Sequence, residues 1–481
     1  MAFTSAIFAA VFIPFFLAYW LVCPRRPRAQ NAMLLIASYA IYGWTDGRLA
    51  LLLAAASLIA FAIGKRIDAC GFPEARQRWA FAGLFIHAGV LLLFKYCGCF
   101  AEELAITCGR MGWNVPAATF RLAMPLGLSF YTFRILGYLF DVQRRKIAAC
   151  ADLPAFLVFV SFFPCIVAGP IDRAKPFLSQ LASARVFDAD RAIGALRQFI
   201  WGLFKKLVIA DGLNLFTGPV FAAPGSYDGI AALIVTFYYA VQLYADFSGY
   251  SDMALGTSRL LGIEVARNFD HPFFARTIAD FWRRWHMSLT SWLTDYLFTP
   301  ISIQLRDYGR AGLAAAICIT FLVIGAWHGA KWTFVLFGAI HGLAYLPLIA
   351  AGTMGKKLPS MEGRLLPSFR DGVAISATFA FVACTFVIFR LPSVAAVVEF
   401  FSRWSDVHLA ALASLKLPNS RFLIEGAPAA ITLLVVDWLS RGMETPLSAG
   451  RHLFWKTTLV VVLILMAGSF VSEQSFIYRV F

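Results

Sequence analysis

The chain begins with an unbroken apolar stretch, Ala6-Ile-Phe-Ala-Ala-Val-Phe-Ile-Pro-Phe-Phe-Leu-Ala-Tyr-Trp-Leu-Val22. No charged residue precedes it, and it is long enough to cross a bilayer as a helix. It lacks the basic segment and the small-residue cleavage site of a signal peptide. The first charges follow it, at Arg25, Arg26 and Arg28. Because short cytoplasmic loops collect Lys and Arg, this order predicts an external N-terminus.

Similar apolar runs continue along the chain, whose 481 residues are 60% hydrophobic and 14% charged. A soluble domain is nearer half apolar and a quarter charged, so this surplus fits a bilayer. The composition therefore predicts an all-α, polytopic membrane protein, with one domain over residues 1–481 and about eleven to thirteen membrane segments. The later runs lie near residues 31–43, 49–63, 79–95, 122–140, 199–216, 229–247, 311–327, 332–351, 373–389, 425–440 and 455–471.

The net charge of +15 comes largely from basic residues in short loops between these runs. On a membrane chain this pattern indicates topology and attraction to anionic lipids, and no nucleic-acid partner is expected. The cytoplasmic loops are predicted at residues 24–30, 64–78, 141–152 and 248–310, and an external loop at 217–229.

Three segments depart from this pattern. Residues 153–168 are apolar but short and contain Pro164, which predicts a re-entrant or buried segment. Lys205 and Lys206 lie within the run at 199–216, where we expect them to snorkel or to line a cavity. Residues 248–310 accumulate arginines yet keep their tryptophans, which indicates helices at the cytoplasmic face or dipping in from it.

One candidate for chemistry is a histidine in the segment Ile278-Ala-Asp-Phe-Trp-Arg-Arg-Trp-His286-Met-Ser-Leu. On one continuous helix, His286 would lie at the edge of an apolar stripe, beside a polar space. The alternative is an interfacial helix whose histidine only snorkels. The stripe would consist of Ile278, Phe281, Trp282, Trp285, Leu289, Trp292 and Tyr296.

A second candidate lies between two apolar runs, in Gly325-Ala-Trp-His328-Gly-Ala-Lys-Trp. Histidine is the usual general base near neutral pH, and Gly329 would let a substrate or another backbone approach closely. The alternative is a turn histidine at the membrane surface. His341 is a weaker candidate, because nothing near it in the sequence indicates a role.

Polar residues are also dense in the run Tyr244-Ala-Asp246-Phe-Ser248-Gly-Tyr-Ser-Asp252-Met, at the predicted end of a span. Helix termination would explain Asp, Ser and Gly there, but not their density beside the arginine-rich region. The sequence contains no nucleophile elbow, Walker loop or H-E-x-x-H motif. Cys97 and Cys99 lack a second pair, so no metal site is expected.

Five stretches carry a family resemblance, and they occur in the family's order between about residues 120 and 350. They are Pro125-Leu-Gly-Leu-Ser-Phe-Tyr-Thr-Phe, Ser161-Phe-Phe-Pro with Ala168-Gly-Pro, Asp246-Phe-Ser-Gly-Tyr-Ser-Asp-Met-Ala, Phe281-Trp-Arg-Arg-Trp-His-Met-Ser-Leu, and Trp327-His-Gly with Trp332-Thr-Phe. Together they resemble the membrane-bound O-acyltransferase family, in its bacterial alginate O-acetyltransferase-like branch. Thr294 and the residues after Pro300 depart from the family's pattern, in the cytoplasmic section.

The resemblance implies a family core at about residues 120–350, peripheral helices at 1–119 and 351–481, and a ring of helices around a central tunnel. It implies catalytic roles for His328 and His286, and a bacterial inner-membrane location. The donor would be a cytoplasmic acyl-CoA or acyl-carrier thioester, with no tightly bound cofactor. The acceptor would be a cell-envelope polysaccharide such as alginate, or a periplasmic intermediary protein. Substrate-binding or tunnel-lining residues would be Asp246, Ser248, Asp252, Trp282, Trp285, Ser288, Trp292, Trp327 and Trp332.

The expected reaction is transfer of an acyl group, acetyl by resemblance, to a hydroxyl. His328 would take the hydroxyl proton, and His286 would hydrogen-bond the thioester carbonyl oxygen or position a substrate. Direct transfer and a transient acyl-enzyme both fit the sequence. The alternatives are a secondary transporter, which often shows repeated halves that this sequence lacks, and a non-catalytic scaffold. Within the enzyme class, D-alanyl transfer and acylation of a lipid or protein also stay open.

Overall fold

The structure is a computed structural model, and it describes residues 2–44, 46–111, 125–356, 358–361, 363–407 and 425–470. These residues form helices joined by loops and contain no β-strand, which confirms the all-α prediction. They divide into two compact units, Met1–Leu196 with Ala254–Ala266, and Arg197–Met253 with Arg267–Phe481. The single domain, its core boundaries and the ring around a tunnel stay predictions.

The first unit consists of apolar helices packed against their neighbours in the chain. The opening apolar stretch forms the first helix within its predicted bounds, and the Ser5 hydroxyl caps it by accepting from the Phe8 N–H at 3.1 Å. The second helix begins before its apolar run, because Pro27 suits a first turn that needs no N–H. The helices are α1 (Ala6–Val22), α2 (Pro27–Gly43), α3 (Gly47–Ala69), α4 (Pro73–Arg110), α5 (Leu128–Gln143), α6 (Leu153–Ser161), α7 (Phe163–Ile166), α8 (Ala174–Ala182) and the first half of α9 (Ala189–Phe204).

The predicted buried segment at residues 153–168 is confirmed as α6 and α7, which break at Phe162 and are largely buried. A buried arginine bonds backbone carbonyls in this segment and just after it. Arg134 donates to the Phe159 carbonyl at 3.1 Å and to the Pro170 carbonyl at 3.0 Å, and it pairs with Asp172. Non-helical backbone is thus covered by protein, as a bilayer requires.

The second unit contains both candidate histidines and the remaining helices. A π-helix, Lys205–Ala210, follows α9, and a second π-helix, Thr294–Phe298, follows α13. The α-helices are α10 (Asp211–Ala222), α11 (Gly229–Leu260, which extends into the first unit), α12 (Ile278–Arg284), α13 (Met287–Leu293), α14 (Thr299–Gln304), α15 (Gly309–His328), α16 (Trp332–Ala344), α17 (Leu346–Ala350), α18 (Phe369–Arg390), α19 (Val394–Ser402), α20 (Ala427–Leu439) and α21 (Leu453–Ala467).

Within the described ranges, six segments are long and apolar enough to cross a membrane, and three shorter apolar helices accompany them. The chain is therefore a polytopic membrane protein. The total of eleven to thirteen segments stays a prediction. The six long segments are Gly47–Ala69, Pro73–Gly98, Gly229–Leu260, Arg306–His328, Trp332–Ala350 and Phe369–Arg390, and the shorter ones are Ala6–Val22, Ala427–Leu439 and Leu453–Ala467.

Candidate active site

The segment around His286 is not the single helix that periodicity predicted. It forms the two short helices α12 and α13, and His286 lies between them in the left-handed region, with φ 44° and ψ 52°. The backbone at this break forms hydrogen bonds with the backbone of Asn268 and Asp270, which lie before α12. The Asn268 carbonyl accepts from the Met287 N–H at 2.9 Å, and the Asp270 N–H donates to the Arg284 carbonyl at 3.0 Å. The prediction of one continuous helix with one apolar stripe was wrong, because backbone bonds to Asn268 and Asp270 replace the bonds that would continue the helix.

The His286 ring is 1% exposed and lies edge-on to Phe247, with 4.7 Å between ring centroids. Its Nδ1 lies 3.3 Å from Oδ1 of Asn268, which also accepts a bond of 2.6 Å from the Ser288 hydroxyl. Burial lowers the pKa of His286 to about 3, so the ring is neutral near pH 7. Snorkelling is excluded for a ring this deeply buried.

Asn268 is the residue that sequence reasoning missed. Its side-chain N–H donates to the Ser251 hydroxyl at 3.1 Å, and Asn268 is 1% exposed. Asn268, Ser288 and Ser251 thus join the segment before α12, the helix α13 and the helix α11. Periodicity gave no sign of this amide, and the only available signal was a lone Asn in the arginine-rich stretch.

His328 is the last residue of α15, and it is buried. Aromatic rings surround it: centroid distances are 4.6 Å to Trp327, 4.7 Å to Phe389 and 6.1 Å to Phe334. The next residue, Gly329, ends the helix with φ 159°, and a Cβ there would lie 2.9 Å from the Phe334 ring. A side chain at residue 329 would therefore displace the Phe334 ring from its position beside the histidine.

A chain of aromatic contacts connects the two candidate histidines inside the second unit. Each successive pair of ring centroids in this chain lies between 4.7 and 6.5 Å apart. The rings belong to α11, to the segment before α12, to the break between α12 and α13, and to α15, α16 and α18, so these elements share one aromatic interior. The order is His286, Phe247, Phe269, Trp285, Phe386, Phe337 and His328.

His341, which had no evident neighbour in the sequence, is completely buried and bonded at both ring nitrogens. The Trp282 indole N–H donates to its Nδ1 at 3.2 Å, and its Nε2 lies 3.0 Å from the Thr385 hydroxyl. Because that hydroxyl donates to the Val382 carbonyl at 2.8 Å, it can accept from Nε2–H. His341 therefore joins α12, α16 and α18, which is a structural role that the sequence around it did not indicate.

We expect His341→Ala to destabilise the protein by about 2–4 kcal/mol, because it leaves a cavity and strands the Trp282 donor. Unfolding of purified protein in mixed micelles at rising SDS measures this loss. His452→Asn is the matched control, since His452 is exposed and Asn tolerates its positive φ. Equal resistance of His341→Ala and wild type would show that these bonds contribute nothing.

The polar run in α11 does not end the helix, which continues to Leu260. Helix termination, the alternative explanation of this run, is therefore excluded, and two buried lysines neutralise the acids within the helix. Lys205 pairs with Asp252 at 2.5 Å and donates to Ser248 at 2.9 Å. Lys206 pairs with Asp246 at 2.8 Å.

Asp211 completes this group, at 2.8 Å from Lys206. Three carboxylates and two consecutive lysines thus form two buried groups, Lys205 with Asp252 and Lys206 with Asp211 and Asp246. We call these five residues together the charge cluster. All five side chains are at most 16% exposed, so the lysines do not snorkel to an interface.

Close backbone contact brings the lysines to α11. A Cβ at Gly202 would lie 2.6 Å from the Gly249 carbonyl oxygen, and a Cβ at Gly249 would lie 2.8 Å from the Gly202 carbonyl oxygen. Directly after this contact, α9 ends and the π-helix Lys205–Ala210 begins. Single π-turns are frequent at functional sites, and here one carries both lysines.

The remaining predicted site residues are divided between the interior and the surface. Trp282, Trp285 and Trp292 are buried, and Trp292 lies 4.9 Å from the Tyr296 ring. Trp332 is 76% exposed at the start of α16, and its lining role stays a prediction. Across the described part of the chain, no cluster of His, Cys, Asp and Glu has the form of a metal site.

Known proteins and a family model match the part of the chain that contains both candidate histidines. Residues 36–359 match the MBOAT, membrane-bound O-acyltransferase family. A protein of Azotobacter vinelandii named "Probable alginate O-acetylase AlgI" is 36% identical over 347 residues, which cover 71% of this chain and 67% of the relative. The chain thus matches about two thirds of that relative's length.

Two further relatives have other names. The peptidoglycan O-acetyltransferase of Helicobacter pylori is 29% identical over 456 residues, covering 88% of this chain and 83% of the relative. The teichoic acid D-alanyltransferase of Streptococcus thermophilus is 32% identical over 284 residues, covering 55% of this chain and 68% of the relative. With its family match over both candidate histidines, this chain belongs to the membrane-bound O-acyltransferase family and is an O-acyltransferase.

Proposed function

We propose that this O-acyltransferase moves acetyl from a cytoplasmic thioester, either acyl-CoA or an acyl carrier protein, to hydroxyls outside the bacterial inner membrane. The acceptor is a cell-envelope polysaccharide such as alginate, or a periplasmic protein that passes the group on. The observation that carries the proposal is the pair of buried histidines, His286 and His328, joined by one aromatic interior. Relatives named for O-acetyl transfer to alginate and peptidoglycan support the choice of group and acceptor class.

The chemistry follows from what a buried imidazole can do. His328 takes the proton of the acceptor hydroxyl as its oxygen attacks the thioester carbonyl. The C–S bond then breaks, the thiolate leaves with a proton returned from His328, and an ester remains on the acceptor. The aromatic rings around His328 exclude water, which limits hydrolysis of the thioester. His286 binds a polar group of one substrate.

A transfer assay tests this function. Purified chain in liposomes receives acetyl-CoA labelled in the acetyl group, with mannuronate oligosaccharides on the opposite face. We expect label in the carbohydrate and an equal amount of released thiol. D-Alanyl-thioester, tested in parallel, should be a poor donor. Solute movement without any acyl transfer would support the transporter alternative instead.

The assay needs a second arm, because the acceptor is proposed to be either a sugar or a protein. Membranes from cells that express the chain with its neighbouring genes provide it. Label found first in a periplasmic protein, and only later in polysaccharide, would identify the intermediary. Absence of label from both fractions, with the donor intact, would contradict the proposed reaction.

The proposed topology has an external N-terminus and cytoplasmic loops at 24–30, 64–78, 141–152 and 248–310. Membrane-impermeant maleimide in intact spheroplasts should label Ser226→Cys, in the external loop, and should label Glu74→Cys only after permeabilisation. Both positions are exposed, and the unsubstituted chain corrects for native cysteines. Labelling of Glu74→Cys from outside would reverse the topology.

A further inference from the structure

The two ends of the Asn268 side-chain amide, Nδ2 and Oδ1, form hydrogen bonds with different residues. Its Nδ2 donates to the Ser251 hydroxyl at 3.1 Å, which directs Oδ1 towards the other side of the amide. There Oδ1 accepts from the Ser288 hydroxyl at 2.6 Å and lies 3.3 Å from His286 Nδ1. Two hydroxyls from two different helices therefore bond to the two ends of one buried amide, and Oδ1 is the end that faces His286.

This orientation determines which nitrogen of His286 carries the proton. A carbonyl oxygen can only accept, so the His286 nitrogen that faces Oδ1 must be the donor. A neutral imidazole has a single N–H, and burial keeps this ring neutral near pH 7. The proton of His286 is thus on Nδ1, and Nε2 carries a lone pair.

Asn268 also holds the backbone of His286. Its carbonyl accepts from the Met287 N–H, directly after the residue with φ 44°. A left-handed conformation costs a non-glycine residue roughly 1–2 kcal/mol, so the surrounding bonds must maintain it. One asparagine therefore controls both the direction in which the ring projects and the nitrogen that it presents.

We propose that Asn268 is a positioning residue that holds His286 as the Nδ1–H tautomer, so that His286 Nε2 accepts a hydrogen bond from an O–H or N–H group of the substrate. This rests on the proposed function and sharpens it. In this tautomer Nε2 cannot donate to the thioester carbonyl oxygen, so His286 is excluded from that role. Stabilisation of the developing oxyanion must then come from another donor.

The test compares Asn268→Asp with Asn268→Leu in liposomes, using labelled acetyl-CoA and mannuronate oligosaccharides. Both are normalised to folded protein, and kcat and KM are measured across pH. Asp keeps an oxygen opposite Nδ1–H, so we expect it to retain much of kcat at alkaline pH. Its negative charge raises the pKa of His286, and an imidazolium cannot accept at Nε2. Activity of Asn268→Asp should therefore fall, as pH decreases, at a higher pH than in wild type.

Asn268→Leu should lose about 100-fold in kcat at every pH, because the ring loses both its tautomer and its position. Asn214→Leu is the matched control, since Asn214 accepts from Gln242 in the same unit and does not contact His286. It should lower the yield of folded protein without changing kcat or the pH profile.

Two results would overturn the inference: full kcat in Asn268→Leu, or a wild-type pH profile in Asn268→Asp. Both presuppose an active wild type, so they differ from failure of the proposed function, in which wild type itself transfers no acetyl. Loss of folded protein alone, with kcat and pH profile unchanged in both variants, would assign Asn268 a purely structural role and would also overturn the inference.

Discussion

His328→Ala should reduce acyl transfer by about a hundred- to ten-thousand-fold, while expression and membrane insertion stay nearly normal. That range corresponds to about 3–5.5 kcal/mol of transition-state stabilisation. The physical reason is the composition of the pocket: the rings packed on His328, those of Trp327, Phe334 and Phe389, cannot accept a proton. The measurement is acetyl transfer per folded protein in liposomes.

The replacement series at the two histidines separates proton transfer from hydrogen bonding. His328→Asn should be as inactive as His328→Ala, because an amide cannot accept a proton near neutral pH. His286→Ala should also lose most activity, but His286→Asn should keep more. Asn supplies hydrogen-bonding atoms and adopts the left-handed conformation of residue 286 at low cost.

The control for this series must be chosen from the structure. His341→Ala is unsuitable, because His341 bonds both Trp282 and Thr385. His452→Asn, which changes an exposed residue, should keep wild-type turnover. Near wild-type turnover in His328→Ala would remove this histidine from the chemistry and leave a fold without the proposed mechanism.

Much of the helical framework could be predicted because the bilayer restricts a chain so strongly. Apolar runs must be helical to satisfy their backbone groups, so a run such as Ala6–Val22 already gives a helix with nearly correct ends. The buried segment at residues 153–168 was also recognisable, since it is too short and too rich in proline to span.

The site was less predictable, because its geometry depends on bonds between distant residues. The break at His286 is made by Asn268 and Asp270, which periodicity within one helix cannot detect. Similarly, the two bonds of His341 come from α12 and α18, so a short sequence window around it contains neither partner. Residue type identified the candidate histidines, but only the fold supplies their neighbours.

The charge cluster shows a third limit of sequence reasoning. A lysine in an apolar run predicts either snorkelling or a polar cavity, and the sequence does not distinguish these outcomes. The outcome here depends on Gly202 and Gly249, whose contact brings the π-helix against α11. The lysines then meet carboxylates that lie 40 and 47 residues away in the chain.

Lys206→Met should destabilise the protein by about 3–5 kcal/mol, because it leaves Asp246 and Asp211 buried without their cation. Such carboxylates must take up protons, draw in water or force the helices apart. Unfolding in mixed micelles at rising SDS measures the effect. Lys456→Met, which removes an exposed lysine in the same unit, should change stability by less than about 0.5 kcal/mol.

A double variant shows whether charge is the cause. Adding Asp246→Asn to Lys206→Met removes one of the stranded carboxylates, so it should recover part of the lost stability, although each substitution alone is destabilising. Recovery of this kind requires that the two side chains interact in the folded state. If the losses of stability in the two single variants simply add in the double variant, Lys206 and Asp246 act independently. If Lys206→Met is as stable as wild type, the charge cluster does not hold α11 against the π-helix.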